Sequence, residues 1–379
     1  MRIGFDAKRL YNNFTGLGNY SRTLVSNLHQ YFTEEEYYLY SPKIKKDFIT
    51  MPFWNNPDYH TRCHNGLFKS AWRSSFIKKD LKRDKIDIYH GLSHELPFHI
   101  DRTGIRSIVT IHDIIFRTFP DMYTAIDRSI YNYKFRYACQ HADKIIAISE
   151  CTKRDIIKYF GTPPEKIQVI YQAIQPTFQV LQTPEAVEKT IRKFHLPEEY
   201  LLYVGAINSR KNLLHIVKAL PLLPRQMQIP LVIVGNGHQY KEEVLKYATK
   251  ANLSKQLILI HNLHAPEELQ AFYQKAKIFI YPSYYEGFGL PVTEALLSKV
   301  PVITSNRSSL PEAGGPASCY IDPDSPEEIA HAIETILSDE NRQREMIEQG
   351  YLFAKQQFEA KSLTQQVHQL YQEIYRRYE

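Results

Sequence analysis

Residues 282–296 read PSYYEGFGLPVTEAL. The run leading into it, KIFIYPS, is apolar and closed by proline and serine, which reads as a buried strand followed by a loop. Beyond Pro291, VTEALLSKV places its apolar residues on one helix face, and Pro291 suits the first helical turn, where a missing N–H costs nothing. The segment is therefore strand, glycine-bearing turn and helix N-terminus. Such a helix start holds an anion against backbone N–H groups. Two carboxylates, Glu286 and Glu294, bracket Gly287 and Gly289. Negative charge beside an anion site is unhelpful unless it binds something else, such as sugar hydroxyls.

The same alternation extends outward. In the first half RIGFDA, YYLYSP, IDIYHG, RSIVTIHD, ADKIIAISE and KIQVIYQ read as strands, with helical patterns such as NYSRTLVSNLHQYF, DRSIYNYKFRYACQHA and CTKRDIIKYFG between several of them. This pattern predicts a parallel sheet covered by helices, with functional groups beyond the C-terminal ends of the strands. Prolines interrupt it near residues 175–198, which read as a crossover. A second series follows in YLLYVGA, PLVIVGNG, QLILIHNL, KIFIYPS, VPVITSN and ASCYID. The expected organisation is α/β throughout: one doubly wound domain over 1–177, a second over 178–355, and a closing helical segment over 356–379. That segment belongs to a long helical pattern from about Ala354, carrying Phe358, Tyr371 and Tyr375. SPEEIAHAIETIL opens on a capping box from Ser325 to Glu328.

A chain of 379 residues accommodates two such cores, and 43% hydrophobic with 23% charged residues is ordinary for a soluble globular protein. MRIGFDAKRLY lacks the apolar region of a signal peptide and no run of eighteen apolar residues occurs, so a cytoplasmic location is expected. Cys63, Cys139, Cys151 and Cys319 are scattered, which argues against a disulfide framework or a structural zinc site. The net charge of +6 is modest, but FKSAWRSSFIKKDLKRDK gathers Lys69, Arg73, Lys78, Lys79, Lys82, Arg83 and Lys85 around Trp72, Phe76 and Ile77. Its plain reading is a solvated helix face; its sharper one is peripheral contact with an anionic membrane at the inner face. No nucleic-acid module accompanies the charge, so nucleic acid is not an expected partner.

Several turns offer chemistry. FTGLGNYS places Gly16 and Gly18 before a helix, without the full dinucleotide-binding spacing. YVGAINSRKN places Gly205 after a strand and Arg210 and Lys211 at the next helix start. There positive side chains oppose the helix dipole unless an anion such as a diphosphate sits among them. The alternative reading of Arg210 and Lys211 is an exposed basic pair. Gly235 and Gly237 in IVGNGHQ fit a plain tight turn, Asn262 in IHNLH borders a possible base pocket, and His112 with Asp113 ends an apolar strand where a cleft residue belongs. Asp322 and Asp324 superficially suggest a metal pair, but the adjacent capping box explains a polar turn.

As a set, EGFGLPVTE, GAINSRKN and GLGNYS resemble family 4 of the retaining glycosyltransferases, over nearly the whole chain. The resemblance implies the GT-B fold: two Rossmann-like domains facing across a cleft, with the last helix crossing back to the first domain. It implies a nucleotide-sugar donor held mainly by the C-terminal domain and a glycan or lipid-linked acceptor mainly by the N-terminal one. By position, Glu294 would hold the ribose hydroxyls and Glu286 would lie near the donor sugar. The N–H groups around Gly287, Phe288, Gly289 and Leu290 would face sugar or phosphate. Arg210 and Lys211 would bind the diphosphate, although Ala206 stands where the family more often has arginine. Gly16 and Gly18 would approach the donor phosphates, and His112 would position hydroxyls beside the reacting sugar.

The implied activity is metal-independent, cofactor-free transfer of a hexose with retention, the departing diphosphate being stabilised by Arg210, Lys211 and helix N-termini. The R-K-N variant resembles bacterial mannosyltransferases of polysaccharide and lipopolysaccharide assembly, which makes GDP-mannose the first expected donor and leaves UDP-sugars open. The competing readings are a sugar-nucleotide epimerase or glycosyl phosphorylase on the same plan, and a non-catalytic nucleotide-sugar-binding partner. A dinucleotide oxidoreductase lacks its fingerprint.

Overall fold

The computed structural model describes residues 1–64, 66, 68–261, 263 and 265–376. The chain divides into two compact units, one built from residues 1–173 together with the helix Ala360–Arg376, the other from residues 174–359.

The first unit holds β1 (Arg2–Asp6), β2 (Glu36–Ser41), β3 (Tyr59–Cys63), β4 (Ile88–Gly91), β5 (Arg106–Ile111), β6 (Lys144–Ala147) and β7 (Ile167–Val169). They form one sheet in the order β3-β2-β1-β4-β5-β6-β7, and every pairing is parallel. Strand order reverses between β1 and β4, and in open α/β sheets ligands bind beyond the strand ends at such a switch point. Asp6, closing β1, receives Arg73 Nε at 2.9 Å, and Arg73 Nη1 reaches Glu95 Oε2, just beyond β4, at 2.6 Å. A buried ion pair thus ties the two strand ends together. β3 carries no strand signal in the sequence: YHTRC is polar and only partly buried, as suits a strand at the sheet edge.

The helix Ala360–Arg376 completes this unit. Buried Leu363, Val367, Leu370, Tyr371 and Ile374 recur at helical spacing on it. His368 stacks on Phe32 at 3.7 Å and bonds Glu35 Oε1 at 2.8 Å. Tyr371 OH meets His90 Nδ1 at 2.7 Å, His90 Nε2 meets Thr110 Oγ1 at 2.8 Å, and that oxygen meets Tyr20 OH at 3.0 Å. Every member of this buried polar chain has a partner, as a low-dielectric interior requires.

The second unit holds β8 (Leu201–Val204), β9 (Leu231–Val234), β10 (Leu257–Ile260), β11 (Ile278–Tyr281), β12 (Val302–Ser305) and β13 (Cys319–Ile321), in the order β10-β9-β8-β11-β12-β13. These pairings are also parallel. Sequences such as LLYV, LVIV and IFIY are buried throughout, because helices cover both sheet faces. The switch point lies between β8 and β11.

The unit boundaries fall at 173/174 and 359/360 rather than 177/178 and 355/356. Phe178 packs edge-on against Tyr273, and Phe358 against Phe288 and Phe353, so both short segments belong to the second core. The long C-terminal helical pattern is two helices, Glu340–Gln357 and Ala360–Arg376. Ser325 Oγ caps Glu328 N at 3.1 Å, but Glu328 accepts from Asp322 N at 2.8 Å instead of completing the box.

Candidate active site

The second unit's switch point gathers the residues singled out from the two turns that leave β8 and β11. After β8 the chain makes a short 3-10 turn, Ser209–Lys211, capped by Asn208 Oδ1 accepting from Lys211 N at 3.1 Å. This brings Arg210 and Lys211 back over the sheet end. After β11, Tyr284 N donates to Arg210 O at 2.8 Å, which locks the two turns together. Glu286 then stands between the two cations. Its Oε1 lies 2.8 Å from Arg210 Nη1 and 3.4 Å from Lys211 Nζ, and accepts from Ser283 Oγ at 2.8 Å and Tyr281 OH at 2.9 Å. Lys211 Nζ also donates to Tyr281 OH, and Arg210 Nη1 to Tyr285 O.

All three charged side chains are largely buried, with exposures of 9%, 14% and 12% for Arg210, Lys211 and Glu286. Burial alone would raise the Glu286 carboxyl, but Lys211 and Arg210, helped by Ser283 and Tyr281, hold it down at about 2. Burial pushes the Lys211 ammonium below its ordinary value while Glu286 opposes the fall. The cluster is two cations on one carboxylate, a net positive site prepared for an anion. The basic pair is therefore not exposed. Gly205 serves it, because a Cβ there would press on Lys211 Cδ at 3.3 Å and Nζ at 3.4 Å.

Glu294 lies in the helix Leu290–Leu297, which starts behind Gly289, a residue at φ +119° where glycine is favoured. Its carboxyl accepts from Tyr273 OH at 3.3 Å, and burial raises it to about 8, against the smaller opposing pulls of Tyr273 and Lys211. The two glutamates thus differ in kind: Glu286 is a paired anion, whereas burial favours the neutral form of Glu294. The Phe288 side chain packs in the core against Phe358, so only its backbone remains for a ligand. The expected role of Asn262 lies outside the described residues. Asp322 and Asp324 both bind Arg307, at 2.7 and 2.6 Å, which accounts for the acidic pair.

In the first unit His112 follows β5 and is buried. Its Nε2 donates to Leu92 O at 2.9 Å, which fixes the tautomer, and Nδ1 accepts from Gln172 Nε2 at 2.9 Å. Burial pushes the ring down to about 4. Both ring nitrogens are therefore engaged, which holds His112 in one orientation. Tyr20 sits edge-on to it at 4.6 Å and His94 at 5.1 Å. Gly16 and Gly18 lie inside the first turn of the helix Gly16–Tyr31, not in a loop before it. A Cβ on Gly18 would fall 1.8 Å from Asn13 O, whereas one on Gly16 meets nothing within 4 Å. Gly18 therefore serves packing, and Gly16 leaves the helix start open.

Tyr281, Ser283, Tyr273, Gln172 and Tyr20 also contact these residues, and nothing in the sequence marks them as doing so. Tyr281 and Ser283 stand in the quoted IFIYPS, but a strand-end tyrosine carries no signal distinguishing core from site.

Residues 16–178 match the family described as Glycosyltransferase Family 4, and residues 187–353 match Glycosyl transferases group 1. The chain is 29% identical over 359 residues to the O-antigen chain mannosyltransferase B of Escherichia coli, covering 90% of this chain and 92% of that protein. Two crystal structures share the fold at low identity. One is HepE of Anabaena in complex with UDP and glucose, with TM-score 0.76 and 16% identity over 98% of this chain and 100% of that one. The other is a glycosyltransferase from Rickettsia africae, with TM-score 0.77 and 17% identity over 99% and 98%.

Proposed function

We propose, from the premise that this chain belongs to the glycosyltransferases joining a family 4 module to a group 1 module on the GT-B fold, that it moves a hexose from a nucleotide diphosphate sugar to a glycan or lipid-linked acceptor. The observation that carries this reading is the buried Arg210–Lys211–Glu286 cluster at the second switch point. Mannose is the first choice of sugar, supported by the similarity to an O-antigen mannosyltransferase, and polysaccharide or lipopolysaccharide assembly is the corresponding setting.

The diphosphate lies against Arg210 and Lys211, with Glu286 holding both side chains in place beforehand. As the bond from the anomeric carbon to the phosphate oxygen breaks, its electron pair goes to that oxygen, and the two cations stabilise the growing charge. Groups already oriented in a dry site do this without reorganisation. The acceptor hydroxyl attacks on the face the diphosphate leaves, which retains configuration, and passes its proton to the departing phosphate oxygen. Side chains supply the positive charge, so no step runs through a metal. Glu294 ionises on taking the ribose hydroxyls, and His112 shapes the acceptor side without exchanging a proton. Peripheral contact with an anionic membrane brings the enzyme to a lipid-linked acceptor.

Calorimetric titration with GDP, UDP, GDP-mannose and UDP-glucose, with magnesium and then with chelator, tests the donor side. Proton NMR of the glycoside product reads its anomeric configuration. Selective binding unaffected by chelation, with a retained anomer, is the expected result; an inverted anomer or strict magnesium dependence refutes the scheme.

A further inference from the structure

We infer that the first unit carries a separate phosphate-binding site for the headgroup of an anionic lipid, lined by Lys78, Lys79, Lys82, His99, Arg102 and Thr103 around a cavity of 370 Å³. The inference deepens the membrane contact proposed above and rests on that reading. Lys78, Lys79 and Lys82 come from one face of the helix Ile77–Arg83, while His99, Arg102 and Thr103 come from the turn after β4. Four basic side chains and an imidazole thus line one concavity, and no acid lines it.

The neighbouring acids are committed elsewhere. Asp80 accepts from Trp72 Nε1 at 2.7 Å and pairs with Arg83 at 2.8 Å, and Asp101 pairs with His141 at 3.0 Å. Among the described residues none of the four cations has an ion-pair partner. Like charges brought together without a counter-ion repel, and a phosphate supplies both the missing charge and acceptor oxygens.

A second feature commits the phosphate to a membrane. Ile126, Ile130 and Tyr133 occupy one face of the helix Ala125–His141 at spacings of four and three, and are 72%, 46% and 61% exposed. The stripe continues into the pocket wall: Tyr133 contacts Phe98 at 5.7 Å, Phe98 contacts Tyr137 at 4.8 Å, and His99 N donates to Tyr137 OH. Phe76, 57% exposed, precedes the lysine-bearing helix. A basic pocket joined to an exposed apolar stripe matches a bilayer surface, where headgroup charge and acyl chains lie side by side. A free phosphate in solution gives no reason for the stripe.

Co-sedimentation of the full chain with phosphatidylcholine vesicles, lacking or containing phosphatidylglycerol, tests the site. Binding is expected only with phosphatidylglycerol, about fivefold weaker for each of Lys79→Ala, Lys82→Ala and Arg102→Ala, and on the order of a hundredfold weaker for the three together. Ile130→Ser should weaken vesicle binding while leaving glycerol phosphate binding, read from the Thr103 amide shift, unchanged. Lys250→Ala with Lys255→Ala, in the second unit, should have no effect; an equal loss there would reduce the attraction to overall charge and overturn the pocket. Glycerol phosphate binding without vesicle binding would mean a soluble phosphate ligand and would overturn the lipid assignment. Donor titration in the same variants separates the two proposals. Vesicle binding without donor binding refutes the transferase scheme and supports the lipid site, whereas donor binding without vesicle binding does the reverse.

Discussion

Glu294→Gln offers a quantitative test of the donor site. The wild-type carboxyl is raised to about 8, so at neutral pH it carries a proton that ribose hydroxyls must displace if the carboxylate is to accept from them. Each pKa unit corresponds to about 1.4 kcal/mol, so that cost is about 1.4 kcal/mol at pH 7 and about 2.7 kcal/mol at pH 6. Hydrogen bonds to a charged group contribute about 1.5–3 kcal/mol. Wild-type affinity for the nucleotide sugar should therefore rise about tenfold per pH unit from 6 toward 8 and then level off, with one proton released per ligand bound. The glutamine variant, which has no proton to lose, should show affinity independent of pH. It should bind roughly 10- to 150-fold more weakly than wild type above pH 8 and nearly as well at pH 6. Calorimetry in buffers of different ionisation enthalpy measures both affinity and proton release. An intact nucleotide sugar is the proper ligand, since the terminal phosphate of a free nucleotide diphosphate titrates in this range. Flat wild-type affinity with no proton release would refute the reasoning.

Glu286→Gln leaves two buried cations without their counter-ion and should cost about 3–5 kcal/mol in urea unfolding. Because the folded carboxyl is held near 2 against an ordinary 4.5, the wild-type advantage should be complete above pH 4.5 and fade as pH falls toward 2; a constant difference across that window contradicts the pairing. Gly18→Ala should destabilise by about 1–3 kcal/mol, since Asn13 O lies 1.8 Å from the added carbon, while Gly16→Ala stays within about 0.5 kcal/mol; equal melting temperatures for the two would count against the observed helix start. Tyr371→Phe strands the buried His90 Nδ1 and should cost about 1–3 kcal/mol, read as faster amide exchange along Ala360–Arg376; unchanged exchange there would deny the hydroxyl its anchoring role.

The two sheets were legible because parallel strands buried on both faces write themselves as apolar runs. LLYV, LVIV, IFIY and VITS stand out between the helices, and Gly205 and Gly235 mark the ends of the first two. β3 escaped because an edge strand keeps polar residues such as His60, Thr61 and Arg62, which local pattern cannot tell from loop. At the site, residue types and positions were readable but pairings were not. Glu286 read as a ligand for sugar hydroxyls, yet it approaches Arg210 across 76 residues of chain, a contact that exists only once β8 and β11 are neighbours. His112 read as a cleft residue at a strand end, while its partners Leu92 and Gln172, each 20 or more positions away, are set by the fold. Charge and periodicity are local properties; desolvation and partner choice belong to the folded chain.

The helix Ala360–Arg376 belongs to the unit that begins at residue 1, with the whole second unit intervening in the chain. During synthesis the first sheet must therefore leave the ribosome with the seat of that helix uncovered. Apolar surface around Phe32 and the buried imidazole of His90 would wait for Tyr371 and its neighbours until the whole second unit has been made. The closure spans a long loop, which slows it more than it weakens it. A nascent chain in this state is a natural client for a holding chaperone.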